Sequence, residues 1–106
     1  MAVLKGYIKA KEAVSETAFN AVVERINGYI SREDCYSKLD KRKSSAGYDE
    51  SKGAFVAKFV FKKLFANDKD AIYTVLDYAL DENGLGRQNQ IEVGLVNSVE
   101  LTITMY

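Results

Sequence analysis

The chain reads as an α+β protein: one compact domain in which an antiparallel or mixed sheet carries two main helices on one face. Three observations predict this. Two stretches repeat apolar residues at helical spacing, other stretches alternate with period two, and no linker-like composition separates them. With 106 residues the chain fits a single domain, 1–106, large enough to bury a core without disulfides or metal.

The first element expected is a strand at 2–11. In "AVLKGYIKAK", Leu4, Gly6, Ile8 and Ala10 share one face, while Val3, Lys5, Tyr7, Lys9 and Lys11 share the other. A helix follows in "VSETAFNAVVERINGYI". Phe19, Val22, Val23, Ile26 and Ile30 form its apolar stripe, Ser15 is a suitable N-cap, and Glu16 sits where the helix dipole favours an acid. This helix should end near Asn27-Gly28 or a turn later. Residues 31–45 fit two patterns. Ser31 and Asp34 have capping-box spacing for a short helix, and Cys35, Ser37 and Leu39 alternate as in a weak strand. The Ser, Gly and charged residues of "KRKSSAGYDESKG" have the composition of an exposed loop.

Alternation returns at 54–65, with Phe55, Ala57, Phe59 and Phe61 on one face and Val56, Lys58, Val60 and Lys62 on the other. A second helix is expected in "NDKDAIYTVLDYALDENG". Asn67 would cap it, Asp68 and Asp70 would occupy its first turn, and Asn83-Gly84 would end it. Its buried stripe should be Ala71, Ile72, Val75, Leu76, Ala79 and Leu80. From Ile91 to Met105 every apolar residue but Val96 is odd-numbered. A single strand of that length exceeds the usual five or six residues, so a hairpin around Val96-Asn97-Ser98 is expected, with one continuous bent strand as the alternative. One apolar face requires odd positions to pair with odd ones. A three-residue turn does this, setting Leu95 against Val99, Val93 against Leu101 and Ile91 against Ile103.

The order of elements is that of a split βαβ, ferredoxin-like arrangement with an extra C-terminal strand or hairpin. "VSETAF", "SKGAFV" and "DAI…GLGRQNQIEV" resemble the first-helix entry, third strand, and second helix with fourth strand of an RNA-recognition motif, loosely over residues 4–95. That resemblance implies a sheet whose outward aromatics stack on bases. The chain departs from the pattern at two points. Ala54 follows Lys52-Gly53 where the family places its first stacking aromatic. Turning the remaining aromatics outward would also drive Lys58 and Lys62 into the core, where an unpaired ammonium costs several kcal/mol. Phe55, Phe59 and Phe61 should therefore face the helices.

Composition narrows the function. His is absent, which removes imidazole bases and imidazole metal ligands. Cys35 lies among Glu33, Asp34 and Tyr36, where acids raise a thiol pKa, so it is expected to be passive. "NDKD" lacks the Gly and terminal Glu of a calcium loop, and "GLGR" at 84–87 precedes a strand instead of opening a helix. Neither an enzyme nor a bound cofactor or metal is expected. The lone cysteine and the absence of a long apolar run fit a cytoplasmic protein with no membrane partner.

Net charge is zero, but residues 1–63 hold 13 of the 15 Lys and Arg against 8 acids, a balance of +5. A sequence pI near 6.3 is far below that of a typical duplex-DNA binder. The expected functional surface is the outer sheet face, carrying Lys5, Tyr7, Lys9, Lys11, Lys58 and Lys62, with Arg87 at its rim. It suits a small non-enzymatic, homo-oligomeric binding protein that captures or blocks an anionic partner, either a nucleotide-like molecule or an acidic protein surface. Phage accessory and inhibitor proteins are of this kind. The alternatives are a single-stranded nucleic-acid module and a structural assembly subunit. Self-association is expected through strand 99–106, "VELTITMY", whose only charge is Glu100.

Overall fold

A computed structural model describes residues 14–86, 91–97 and 99–106. They form one α+β domain of two helices and a five-stranded antiparallel sheet that does not close. The expected strand at 2–11, with Lys5, Tyr7, Lys9 and Lys11, lies outside the described residues, as does Arg87.

Helix α1 spans Glu16–Ile30, the longer of the two expected extents. Ser15 Oγ accepts from the Ala18 N–H at 3.1 Å, and Ser31 Oγ donates to the Asn27 carbonyl at 2.9 Å. The chain then turns through residues 31–34 without a second helix, held by a two-pronged Arg32–Asp34 ion pair at 2.8 and 2.9 Å. Of the two patterns for 31–45 the strand is nearer, although β1 is only Lys38–Leu39.

Strand β2, Ser45–Asp49, occupies the stretch expected as an exposed loop. The correction has a physical reason. β3, Ala54–Lys63, is ten residues long and leaves an edge of backbone groups to be satisfied, which the chain meets by folding straight back on it. Gly53, at φ +62°, makes the tight turn, and Asp49 Oδ1 accepts from the Ser51 N–H (2.9 Å) and Oγ (2.6 Å). β1 and β2 lie one after the other along the same edge of β3, opposite its 61–63 and 54–58 segments.

Helix α2 spans Ala66–Glu82, and Phe65, not Asn67, is its N-cap. Phe65 supplies no side-chain acceptor, and Ser37 from the α1–β1 linker takes over the task. Its Oγ accepts the Phe65 N–H at 2.9 Å and donates to Asp68 Oδ2 at 2.7 Å. A capping box normally joins two residues of one helix; here a distant serine bridges the two ends. Gly84, at φ +68°, stops the helix as expected.

β4, Ile91–Asn97, and β5, Glu100–Met105, form the expected hairpin with a shifted register. Leu95 pairs with Leu101, Val93 with Ile103 and Ile91 with Met105, each two residues beyond the expected partner. An irregularity between Leu95 and Asn97 keeps odd residues opposite odd ones from Leu95 back to Ile91. The parity argument holds, and a bulge satisfies it in place of a longer turn.

The strand order is β1-β3-β5-β4, with β2 also on β3. β5 thus lies between β3 and β4, the place that a split βαβ arrangement gives to its first strand. Both of its edges are paired within the chain, which corrects the expectation that 99–106 is an open edge for self-association. Its apolar residues explain the position: Leu101, Ile103 and Met105 are buried against the helices together with Ala57, Phe59 and Phe61 of β3. Phe19, Val22 and Ile26 of α1 and Ile72, Leu76, Ala79 and Leu80 of α2 complete that core, as their spacing predicts.

Candidate functional site

β3 presents Lys58 and Lys62 away from the core, as expected, but their surroundings differ from a uniformly basic sheet face. Lys58 stands between Ser45 and Thr102 in the cross-strand row. Its Nζ lies 3.8 Å from Glu100 Oε1, which also accepts from Thr102 Oγ1 at 3.3 Å. Glu100 therefore offsets one of the two lysines, a contact that follows from placing β5 beside β3.

The cations gather instead around the place where β1 and β2 part. Between their pairing segments, β3 has no strand partner near Val60 on that edge. Ser44 and Asp40 fill in: Ser44 Oγ accepts the Val60 N–H at 2.9 Å and donates to the Asp40 carbonyl at 2.8 Å, while the Asp40 N–H donates to the Val60 carbonyl at 2.6 Å. This local closure leaves a cleft of about 730 Å³ between α1 and the sheet edge. Lys38, Lys41, Lys58 and Lys62 line it. Its floor is apolar, from Val23, Ile30, Leu39 and Phe59, and Asn27, Ser31, Ser44 and Ser45 add amide and hydroxyl groups. A second hollow of about 490 Å³, lined by Leu39, Asp40, Lys41, Arg42 and Lys62, adjoins it through shared residues.

Among the described residues, no salt bridge engages Lys38, Lys41, Arg42 or Lys62. Two physical roles are open to such lysines. They can offset the carbonyl end of α1, whose last turn carries no basic residue, worth about 0.3–1 kcal/mol. They can also hold an anion, because like charges converging on one concave surface raise its positive potential. The size of the cleft falls within the usual range for small-molecule sites, and its apolar floor with a few polar groups has the usual make-up.

Ser37, which lines the cleft, also belongs to a cluster around Asp68. Asp68 is buried and accepts from the N–H groups of Tyr36 (3.1 Å) and Ser37 (2.8 Å), from Ser37 Oγ and from the Tyr29 hydroxyl (3.4 Å). The Ser37 hydroxyl bond and the two backbone N–H bonds hold its carboxyl below the usual range despite burial. Burial, then the Asp68 charge, push the Tyr29 phenol up. Burial likewise raises the Cys35 thiol pKa, more than any neighbouring acid does. Ser37 Oγ donates to Asp68 and accepts from the Phe65 N–H, and so bridges the linker and the first turn of α2. The cluster fastens the linker to α2 and so positions Lys38, the next residue.

Of the residues expected at the site, Lys58 and Lys62 come together in the cleft, and Lys5, Tyr7, Lys9 and Arg87 lie outside the described residues. Lys38 and Lys41 were not expected there. The signal for them is "KLDKRKSS", a run of cations between a buried serine and a strand, whose loop-like composition hid its position at the sheet edge. Among the described residues no helix is long and apolar enough to cross a membrane. No known protein family, curated protein or solved structure matches the chain.

Proposed function

We propose that this chain is a small non-enzymatic binding protein that takes an anionic partner into the lysine-ringed cleft between α1 and the β1–β2 edge. One observation carries the reading: Lys38 from β1, Lys41 from the following turn, and Lys58 and Lys62 from β3 line one cleft, and among the described residues only Lys58 of these four has a carboxylate partner. The apolar floor favours a partner with both an anionic group and a ring or aliphatic body, such as a nucleotide-like molecule or an acidic side chain beside an apolar one.

Calorimetric titration with three probes tests the proposal: a nucleoside triphosphate, an acidic peptide and a single-stranded oligonucleotide, each at low and high salt. Saturable binding of the first or second is expected, and Lys41→Gln with Lys62→Gln should weaken it at least about a hundredfold, since two charged hydrogen bonds of about 1.5–3 kcal/mol each are lost. Preferential binding of the oligonucleotide with a steep salt dependence would move the protein to the nucleic-acid class. Absence of binding by all three, or equal binding by the double variant, overturns the assignment.

A further inference from the structure

β2 is the outermost strand on its side of the sheet among the described residues, pairing with β3 and nothing else. Its Ser45, Ala46, Gly47 and Tyr48 are exposed, Tyr48 to 57%. Lys and Pro, the usual guards of an open edge, are absent from "SAGYD". The charges lie at or just beyond its ends and differ in net sign: Lys41, Arg42 and Lys43 before it, and Asp49 and Glu50, followed by Lys52, at the other end.

We propose that two copies of this chain join through β2, antiparallel, about a two-fold axis at Gly47, and so continue the sheet from one copy into the other. Direction follows from charge. With that centre an antiparallel pair sets Glu50 of each copy opposite the partner's Ser44, one position from its Lys43, and Lys52 opposite Arg42, so a net positive end lies beside a net negative one, whereas a parallel pair sets like against like. Register follows from shape. Centring on Gly47 places Tyr48 opposite the partner's Ala46, where a small side chain leaves room for the ring. Tyr48 meets Phe55 edge-on at 5.1 Å, and Phe55 stacks on Phe19 at 5.0 Å, so an aromatic row from the core ends at this edge. The same register sets Ser45 opposite the partner's Asp49. Every second backbone N–H and C=O of β2 points away from β3 and would find its partner in the second copy. A contact of five residues a side is small, so association in the micromolar range or weaker is expected.

Sedimentation over a concentration series, with two single variants, tests this. Lys43→Glu and Glu50→Lys each place like charges at both ends of the pair and should weaken self-association at least about tenfold. An equimolar mixture of the two restores opposite charges at both ends and should associate as the unmodified protein does. Both residues are exposed, so neither change threatens the fold. Gly47→Cys gives an independent readout. A side chain at Gly47 has open space, Cα atoms of paired residues lie about 4.5–5.5 Å apart across an antiparallel pair, and a disulfide spans that distance. Cys35, the only native cysteine, is buried. Mild oxidation should therefore yield a covalent dimer. A protein that stays monomeric at millimolar concentration, a mixture no better than its components, or a Gly47→Cys variant that forms no linked dimer overturns the proposal.

Discussion

At the scale of single residues, Tyr73 is the clearest departure from an economical core. Its hydroxyl is buried and has no hydrogen-bond partner among the described residues, and burial raises its pKa. The ring borders a hollow of about 10 Å³ with Phe61, Leu64, Lys69, Ile72 and Leu101, at the lower limit of space for one water. A buried unsatisfied hydroxyl costs about 1–3 kcal/mol. Tyr73→Phe should therefore stabilise the protein by about 1 kcal/mol, read as a rise in urea midpoint with unchanged slope; a loss of stability would reveal a partner for that hydroxyl. The sequence hid this feature because helical spacing tells which face a tyrosine occupies but not what its oxygen meets. Spacing sufficed for Ile72 and Leu76, whose burial needs only an apolar neighbour. It sufficed for Lys58 and Lys62 as well, since placing ammonium groups in the core costs more than exposing Phe55.

At the scale of elements, both helices, β3 and the C-terminal hairpin were legible, and β2 was not. The legible elements bury one face, which forces a period on their residues. β2 has nearly all of its residues exposed, so no period marks it, and only its pairing with β3 makes it a strand. The α1–β1 linker is similar: Ser37 and Asp68 lie 31 residues apart, and nothing local predicts that they meet. Their contact makes acid stability a property of the linker. Asp68 has a folded pKa below its ordinary value near 3.9, so its contribution is complete above that range and disappears as pH falls through the lowered value. Asp68→Asn should cost about 1.5–3 kcal/mol at pH 7, the worth of a charged hydrogen bond. The gap between variant and unmodified protein should narrow as pH falls toward 2. Denaturation midpoints across that range check it, and a gap independent of pH would show that the carboxylate's charge contributes nothing.

At the scale of the whole molecule, the position of β5 decides how the two halves hold together. α1 and β1 to β3 form the basic half of the chain, α2 and the hairpin the acidic half, and β5 crosses back to pair with β3 from its residues 55 to 60. It is the strand through which β4 reaches the rest of the sheet among the described residues. Composition alone suggested an aggregation-prone edge, because "VELTITMY" is apolar and nearly uncharged; the same composition suits a central strand, whose two edges are both paired. The two positions differ in what deletion does. Removing residues 101–106 takes Leu101, Ile103 and Met105 out of the core, at about 1.5–3 kcal/mol for each side chain. It also strips the backbone partners from β3 on one side and from β4. The combined loss rivals the total stability of about 5–15 kcal/mol typical of a domain. The truncated chain should therefore be unfolded, with collapsed amide dispersion in its NMR spectrum and a coil-like far-ultraviolet signature. A soluble, folded monomer with native dispersion would instead show that β5 is dispensable to the sheet, and the strand order described above would be wrong.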